Sequence, residues 1–495
     1  MINHQHIYKE VYAEQESLLY KVLYQSILTQ IYSGVLRCGD VFPSQSELCQ
    51  RYQVGITTVR KVIRMLKEEG VICTSAGKRA IVCFGESEKG YIQSLMQRRE
   101  SILDVYRGLE LIMPPLYTEG AMHCGRLSVF ADAEGSSDDQ MINSQRTTAF
   151  FTELLLPYRN QTVLDLQTDM EHYARFPYVM QSQLEDPFTV SADFLKQNLS
   201  IMQGMVERKE RESLIAKLEE MYRNAGRQAA VYLNDLQKIV PVPGEPVTYQ
   251  WFRGKNRSPL YAAVAQSLYR RAQLGEFSHR TYFPSEPEIM HTYKISKSTA
   301  AKAMALLSDI GLIHTIEKKG SVLRTSEELA PIRIEQNIIE NNLTLFLNVL
   351  QILAVCTGKL SFAAFSLLDD SQLADTASEW ESSPLRQRSS GIIHIITAFL
   401  KAHMPQKCLE NILEQFDDAL IWGHYLDRPY ILVEECAALA QEGFEQFALS
   451  CQSLRKGDRE SAAASVQRTF RAIFLDARLY TLICFKNPDK VPAEI

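Results

Sequence analysis

The sequence repeats itself at a distance of 241 residues. Residues 19–72 align without a gap on residues 260–313, with roughly 15 identities, which chance does not give in a window of this length. A repeat of this length indicates that one folding unit is used twice, so any fold assigned to one segment must also fit the other. The matched positions include Leu19-Tyr20 with Leu260-Tyr261, Gly34 with Gly275, Phe42-Pro43-Ser44 with Phe283-Pro284-Ser285, Tyr52 with Tyr293 and Gly70 with Gly311.

The repeated segments are basic, although the chain as a whole carries a net charge of −6. Residues 19–84 contain nine lysines and arginines against four acids, and residues 260–324 contain nine against five. The remainder of the chain is therefore strongly acidic. Two compact basic segments indicate two modules that face a polyanion, with nucleic acid the first candidate. Ordinary fluctuation of a few charges between small domains is the alternative.

Each basic segment has the same order of predicted elements. Apolar spacing predicts a helix over residues 19–32, and Ser44 with Glu47 forms the pattern of a capping box that opens a short helix ending at Tyr52. A third helix is predicted over residues 57–69, and β-prone residues 71–74 and 80–82 then flank a basic, glycine-containing tip. The second copy retains the capping box as Ser285 and Glu288, and its third helix is predicted over residues 298–310.

This order of elements is typical of a winged helix-turn-helix, in which the second helix of the motif lies in the major groove of DNA. After each winged helix, the sequence predicts an acidic region of amphipathic helices, and the repeat continues there more faintly. The predicted fold is mainly α with small β wings. The predicted domains are an N-terminal extension (1–18), a winged helix (19–85), a helical domain (86–240), an extended proline-rich linker (241–258), a second winged helix (259–325) and a second helical domain (326–495).

The basic segments resemble the DNA-binding domain of the GntR family. That domain runs Leu-Tyr, Ile-x-x-Gly, Gly-Asp, Leu-Pro-Ser-Glu, Glu-Leu-Ala, Val-Ser-x-x-Thr-Val-Arg, Leu and Glu-Gly before its wing. The first copy matches it at Leu19-Tyr20, Ile31 to Gly34, Gly39-Asp40, Phe42-Pro43-Ser44, Glu47-Leu48-Cys49, Val54 to Arg60, Leu66 and Glu69-Gly70. The second copy is similar, with residues 295–299 opening its reading helix. The resemblance covers about 65 residues in each copy and implies sequence-specific binding to double-stranded DNA.

Both copies depart from the family pattern at positions that read DNA. The arginine expected three residues after the motif proline is replaced by Ser46 and Pro287, and that at the start of the reading helix by Ile56 and Lys297. The later arginine is present as Arg60 but is Ala301 in the second copy. Weaker base specificity or contact with phosphates alone is therefore an alternative for each copy. The resemblance places the candidate DNA contacts at Ser44, Thr57, Thr58, Arg60, Gly77, Lys78 and Arg79 in the first copy, and at Ser285, Lys297, Ser298, Thr299, Lys318, Lys319 and Gly320 in the second.

The acidic regions are similar to the all-helical effector domains of many GntR regulators, at residues 106–110 and 454–463. Those domains often bind a metal through an Asp-x-x-Phe-His signature, which this sequence lacks, and its histidines are isolated. We therefore expect no metal and no cofactor, and we assign no effector-binding residue. The apolar stripes are interpreted as core, with a pocket for an apolar ligand as the alternative. Residues 131–144 and 378–391 are interpreted as polar loops.

The function predicted is a DNA-binding transcriptional regulator, and we expect repression. No phosphate loop, nucleophile elbow or zinc-protease string occurs, so we predict no enzyme activity. The predicted partners are double-stranded DNA, a possible small-molecule effector, and either the other half of the chain in an intramolecular pseudo-dimer or a second copy in a homodimer. A protein-interaction scaffold with degenerate winged helices is the alternative. Ten scattered cysteines with no Cys-x-x-Cys pair suit reduced thiols, and no apolar run of 18 residues occurs, so we expect a cytoplasmic protein with no membrane partner.

Overall fold

The computed structural model describes most of the helices and both wings of the chain. The described residues are 23, 24, 27, 30, 31, 36, 38–52, 54–68, 71–73, 79–83, 88–125, 127, 140–174, 192–240, 246–251, 260–273, 275–277, 280–309, 312–317, 319–323, 336–426, 434–484 and 491–494. The predicted extension over residues 1–18 and the matched glycine Gly34 lie outside them. Within the described residues the fold is mainly helical with two small two-stranded sheets, which confirms the predicted class.

The first winged helix follows the predicted order of elements. Its helices are α1 (Gln45–Tyr52) and α2 (Ile56–Glu68), and its strands are β1 (Ile72–Cys73) and β2 (Ile81–Val82). The strands pair antiparallel, with Ile72 opposite Val82. The segment just before α1 continues this sheet on its other side, because the N–H of Gly39 donates to Val82 O at 2.8 Å and that of Phe42 to Ala80 O at 2.7 Å. The wing is therefore held against the start of α1.

The first helical region comprises α3 (Glu88–His123), α4 (Gln140–Leu155), α5 (Gln161–Ala174), α6 (Ala192–Glu207) and α7 (Arg211–Ile239). The long helix α3 begins five residues after the wing and packs along α7, with α4 and α5 against its other sides. Leu109, Met113 and Leu116 are fully or almost fully buried along α3, at the three- and four-residue spacing of a helix core. The first winged helix is thus attached in sequence directly to the central helix of this region.

The second winged helix has a longer strand ladder than the first within the described residues. Its helices are α8 (Leu260–Gln273), α9 (Glu286–Tyr293) and α10 (Lys297–Asp309), and its strands are β3 (Ile313–Ile316) and β4 (Gly320–Leu323). Among the described residues, four pairs form the β3–β4 ladder, whereas two form the β1–β2 ladder. Phe283 N–H donates to Ser321 O at 2.7 Å, which repeats the contact of Phe42 with Ala80 at a distance of 241 residues.

The second helical region comprises α11 (Gln336–Phe365), α12 (Asp370–Ser382), α13 (Ser389–His403), α14 (Lys407–Leu420), α15 (Glu434–Arg455) and α16 (Arg459–Cys484). Among the described residues, one stretch (Asn342–Phe365, mean hydropathy 1.7) is long and apolar enough to cross a membrane. It is 78% buried inside the protein, where α11 packs on α16, as is usual for the core helix of a helical domain. The interpretation of residues 378–391 as a polar loop is wrong: they run through the end of α12, a 3-10 turn (Pro384–Gln387) and the start of α13.

The two helical regions pack on each other through α3, α5, α11 and α14. Asp104 of α3 caps the N-terminus of α14, where it accepts from the backbone N–H of Lys407 (3.2 Å) and Cys408 (2.7 Å). Gly108, one turn later, lets Cys408 approach, since a Cβ at this glycine would lie 2.6 Å from the Cys408 sulfur. This contact joins residues about 300 positions apart in the chain, so the two halves form one packed unit.

A buried polar network crosses the same interface. The amide of Asn160 donates to Gln351 Oε1 at 2.8 Å, and the amide of Gln351 donates to Ala493 O, also at 2.8 Å. The N–H of Ala493 in turn donates to Tyr158 O at 3.0 Å. Asn160 and Gln351 are 2% and 0% exposed, so each would leave an unsatisfied partner if it were replaced by an apolar residue.

Residues 246–251, within the predicted linker, lie between the two helical regions. The N–H of Val247 donates to Gln97 O at 2.9 Å, Tyr249 OH donates to Asp169 Oδ2 at 2.6 Å, and Trp251 N–H donates to Asn411 Oδ1 at 2.7 Å. Burial raises the pKa of Asp169 to about 6, although the bond from Tyr249 lowers it. Tyr249 and Trp251 are 3% and 1% exposed. This part of the predicted linker contains no helix or strand, and it is a buried strap rather than a free tether.

The expectation of reduced cysteines throughout is wrong for one pair. Cys73 and Cys83 form a disulfide across the first wing, and their Cα atoms are 5.9 Å apart. The spacing of nine intervening residues gave no signal, because the pairing depends on the register of two strands. Cys38, Cys49, Cys124, Cys356, Cys408 and Cys451 form no disulfide.

Candidate nucleic-acid interface

The helix α1 begins with the predicted capping box. Ser44 Oγ accepts from the N–H of Glu47 at 3.2 Å, and Glu47 Oε2 accepts from the N–H of Ser44 at 2.7 Å. These hydrogen bonds from Ser44 lower the pKa of Glu47, with smaller contributions from Arg79 and Arg51. The cap fixes the direction in which the chain enters α1 and therefore the position of the turn before the reading helix.

The helix α2 presents its polar side chains on one face. Val59, Val62 and Leu66 are fully buried at helical spacing, so the residues between them face outward. Thr57 and Arg60, both predicted contacts, are exposed, and Thr58 is half-buried. Arg60 Nε donates to Gln45 Oε1 at 3.3 Å, which orients the guanidinium beside the N-terminus of α1. The structure therefore brings Arg60 to the start of α1, next to the Ser44 cap, while Thr57 lies in the first turn of α2.

Arg79 is the predicted wing residue of the first copy that the structure describes, and it is exposed. It lines a cleft of about 290 Å³ between the wing and α1, together with Val41, Phe42, Pro43, Glu47, Leu48 and Arg51. The wing and α1 thus place two arginines beside the carboxylate of the capping box. The candidates Gly77 and Lys78 lie outside the described residues.

The second copy repeats the cap and changes the reading helix. Ser285 Oγ accepts from the N–H of Glu288 at 3.4 Å, and Glu288 Oε2 accepts from the N–H of Ser285 at 2.7 Å. These bonds lower the pKa of Glu288. Lys297 and Ser298 are exposed at the first turn of α10. Both capping boxes are therefore confirmed as predicted from the sequence.

Thr299 is partly engaged within its own helix. Its N–H donates to Ser296 Oγ at 3.2 Å, and the two hydroxyl groups lie 2.9 Å apart. Ser296 thus caps α10, and Thr299 is half-buried beside it. A hydroxyl already bonded inside the helix is a poorer candidate for a base contact than the exposed Ser298 next to it.

The second wing exposes Lys319 and Gly320, whereas Lys318 lies outside the described residues. Gly320 has a φ of +127°, a conformation that side-chain-bearing residues rarely adopt, and the ring of Tyr282 covers it: a Cβ there would lie 3.3 Å from Tyr282 Cδ1. Gly320 therefore sets the shape of this wing, which is a structural requirement separate from its predicted contact with DNA.

Sequence reasoning missed two basic residues on the exposed face of α2, Lys61 and Arg64. They lie four and seven residues after Thr57, so the helical period with the buried set Val59, Val62 and Leu66 could have found them. It also missed Ser296, whose position before a helix is a usual capping signal.

The N-terminal ends of the reading helices α2 and α10 share polar and electrostatic features that suit a polyanion. The N-terminal turns of α2 and α10 carry exposed hydroxyls, and each helix start bears a partial positive charge from its unpaired N–H groups. Exposed lysines and arginines surround them. In the part of the chain that the structure describes, no group of three or more His, Cys, Asp or Glu side chains could hold a metal ion.

Comparison with known proteins identifies the two segments. Residues 19–82 and 260–323 each match the family described as bacterial regulatory proteins, gntR family. A probable fructoselysine utilization operon transcriptional repressor of Escherichia coli is 38% identical over 65 residues, which are 13% of this chain and 27% of that repressor. An HTH-type transcriptional repressor of Salmonella typhimurium is 29% identical over 91 residues, 17% of this chain and 38% of the relative. The chain thus spans between about a quarter and two fifths of these curated relatives.

Solved structures give a weaker likeness. The GntR protein of Streptococcus agalactiae is 11% identical, with a TM-score of 0.20, and the match covers 43% of this chain and 99% of that one. A GntR-family transcriptional regulator of Pseudomonas syringae is 18% identical, with a TM-score of 0.17, over 46% of this chain and 98% of that one. Scores this low add nothing to the assignment, which depends on the sequence match of the two winged helices.

Proposed function

Because this chain carries two winged-helix domains of the GntR family, we propose that it is a DNA-binding transcriptional regulator whose two reading helices contact two unlike half-sites. The observation that carries the proposal is the pair of exposed helix starts at α2 and α10. Each follows a capped helix, but the two expose different side chains: Thr57 and Arg60 in one, Lys297 and Ser298 in the other. Two reading helices with different exposed side chains favour an asymmetric operator over a palindrome.

The roles of single residues follow from their chemistry. Arg60 has the chemistry to bind a guanine edge, because an arginine can donate two hydrogen bonds to one base. Lys297 is a point charge and suits a phosphate better. Thr57, Ser298, Arg79 and Lys319 would complete the contacts with backbone and groove, and Lys61 and Arg64 would add electrostatic attraction along α2.

The helical regions would pair the two winged helices within one chain. The strap at residues 246–251 and the Asp104 cap on α14 support this proposal, since both tie the halves together through hydrogen bonds to the backbone. A single chain would then do the work that a homodimer does when it reads two half-sites. We also propose repression, for which the names of the curated relatives are the support, and a cytoplasmic location, which access to DNA in a bacterium requires. A small-molecule effector remains part of the proposal without an assigned site.

Selection of bound duplexes from a random pool tests the function, with the wild type, Arg60→Ala and Lys297→Ala compared at low salt. We expect a two-part motif, in which Arg60→Ala removes the sequence preference of one half and Lys297→Ala weakens the other. A motif that depends on Arg60 alone would make the second winged helix structural. No enrichment for any sequence would overturn the regulator and favour a scaffold with degenerate winged helices.

Salt dependence provides an independent measurement. For a protein that neutralises phosphates, a plot of the logarithm of the DNA-binding constant against the logarithm of the salt concentration should fall with a slope of about 0.9 per phosphate contacted. An interaction scaffold should show no salt-dependent binding to DNA.

A further inference from the structure

The first wing carries a pair of cysteines that the DNA-binding function does not require. Cys73 is exposed at the end of β1, and Cys83 is half-buried directly after β2. The two are bonded, and their Cα separation of 5.9 Å falls within the range that a disulfide spans without movement of the backbone. The pair sits on a surface where a small oxidant can reach at least one sulfur.

We propose that Cys73 and Cys83 form a site of reversible oxidation that sets the affinity of the first winged helix for DNA. This inference rests on the proposed function for its effect on DNA, but not for the chemistry of the cysteines. In the cytoplasm, where we place the protein, disulfides are usually transient and catalytic or redox-sensing rather than structural. A bond on a DNA-facing wing fits a sensing role.

The oxidant would be a low-molecular-weight disulfide. The thiolate of exposed Cys73 attacks one of its sulfurs, forms a mixed disulfide and releases one small thiol. The thiolate of Cys83 then attacks the Cys73 sulfur, forms the intramolecular bond and releases the second small thiol. Two cysteine thiols are oxidised, one small disulfide is reduced to two thiols, and the two protons pass from the cysteines to the released thiols. Reduction by a dithiol reverses the sequence.

The structure indicates why this bond would matter. Within the described residues the β1–β2 ladder has two residue pairs against four in β3–β4, so fewer backbone bonds hold the two strands of the first wing to each other. The strand β1 is tied to the reading helix, because Val71 N–H donates to Leu66 O at 2.9 Å, and β2 begins two residues after Arg79. A covalent link between the strands therefore fixes Arg79 relative to α2. Oxidation should preorganise the wing for DNA, and reduction should loosen it.

The second winged helix provides an internal control. The positions 241 residues after Cys73 and Cys83 are His314 and Arg324, so this copy has no equivalent bond. Its wing has four residue pairs instead, which supply by hydrogen bonding the rigidity that the first wing obtains from the disulfide. The redox effect should therefore be confined to the half-site read by the first copy.

Differential alkylation with mass spectrometry tests the chemical part on the full-length chain, after treatment with oxidised glutathione or with a dithiol. We expect Cys73 and Cys83 to be protected together after oxidation and alkylated after reduction. Cys83→Ser should instead trap a glutathione adduct on Cys73. Separate alkylation of both cysteines after prolonged oxidation would overturn the proposal. This readout does not involve DNA, so it decides the modification site even if the proposed function fails.

Titration of the duplex selected by the wild type tests the effect on binding. The oxidised protein should bind roughly three- to tenfold more tightly than the reduced protein. Cys73→Ser/Cys83→Ser should bind with the affinity of the reduced protein in both buffers, which also excludes effects of the other cysteines. Equal affinity of the oxidised and reduced wild type, with the bond shown to form, would overturn the regulatory part. If neither form selects any duplex, the proposed function fails and the alkylation result still stands.

Discussion

In the first winged helix the reading helix α2 exposes Arg60, Lys61, Arg64 and Lys67, whereas Lys297 and Lys302 are the basic residues of its counterpart α10. Their buried sides agree closely. Val59, Val62 and Leu66 are fully buried in one copy, and Ala300, Ala303 and Leu307, each 241 residues later, are fully buried in the other. The core of the domain has been kept and its surface has diverged. The copies therefore differ in what they can bind while sharing the way they fold.

The order is reversed for the wings, because the copy with fewer basic residues on its reading helix has the longer strand ladder. The copy with the basic reading helix has the shorter wing ladder and a disulfide, and the copy with the less basic helix has the longer ladder and a glycine-shaped turn. Exposed lysines and arginines are thus more numerous on the reading helix of the first copy, which also has Arg79 on its wing, while the second copy has Lys319 on the wing with the longer described ladder.

The largest effect should come from the shared core. Leu66→Ala and Leu307→Ala each remove a fully buried side chain, so each should lower the free energy of unfolding of its own winged helix by about 2–5 kcal/mol. Hydrogen exchange in peptides covering α2 and α10 measures the two copies separately. Lys67→Ala, at an exposed position, is the control and should change little. A large loss in one copy with almost none in the other would contradict the equivalence of the cores.

Substitution to alanine at the wing turn should lower stability in the second copy alone. Gly320→Ala adds a Cβ at a φ of +127° and pushes it against Tyr282, so it should destabilise the β3–β4 hairpin by about 1–3 kcal/mol. The aligned residue of the first copy is Arg79, and Arg79→Ala should leave the stability of that wing within about 0.5 kcal/mol. Faster exchange of β3 and β4 amides is the measurement. Unchanged exchange in Gly320→Ala would indicate that the wing adapts its backbone.

Introducing the arginine–glutamine pair of the first copy should make the DNA binding of α10 resemble that proposed for α2. Arg60 bonds Gln45 in the first copy, and the aligned positions are Ala301 and Glu286. Ala301→Arg with Glu286→Gln should restore that pair and tighten DNA binding roughly fivefold, with a new base preference in the second half-site. Ala301→Arg alone is the matched control, because Glu286 would hold the new arginine in an ion pair. Selection of duplexes that shows no new preference would count against base reading by this helix.

The smallest effect should be the same in both copies. Ser44→Ala and Ser285→Ala remove the caps of α1 and α9, so each should cost about 1 kcal/mol in local stability. Hydrogen bonds from these serines lower the pKa of Glu47 and of Glu288 below the usual 4.5. Their contribution is therefore complete above that pH and is lost as the pH falls through the lowered values. Exchange rates measured between neutral and acidic pH check this, with the exposed Ser46→Ala as control. Unequal losses would mean that the caps have different roles.

Much of the interface could be predicted because its signals are local. The capping boxes extend over four residues, and the buried sets of α2 and α10 recur every three or four, so periodicity and cap chemistry identify them. The same reasoning left out Lys61 and Arg64, because it followed a family motif rather than the exposed face of the helix. It also assigned Thr299 to DNA, although part of its hydrogen-bonding capacity is used by Ser296.

The use of one winged helix twice follows from the sequence alone, since a repeat of 241 residues with matched caps and core positions admits few folds. The way in which the halves are joined depends on the tertiary fold. The Asp104 cap on α14, the buried strap at Trp251 and the Cys73–Cys83 bond each depend on which residues meet in space. Such contacts have no periodicity or spacing of their own, because they are fixed by the packing of whole helices and strands.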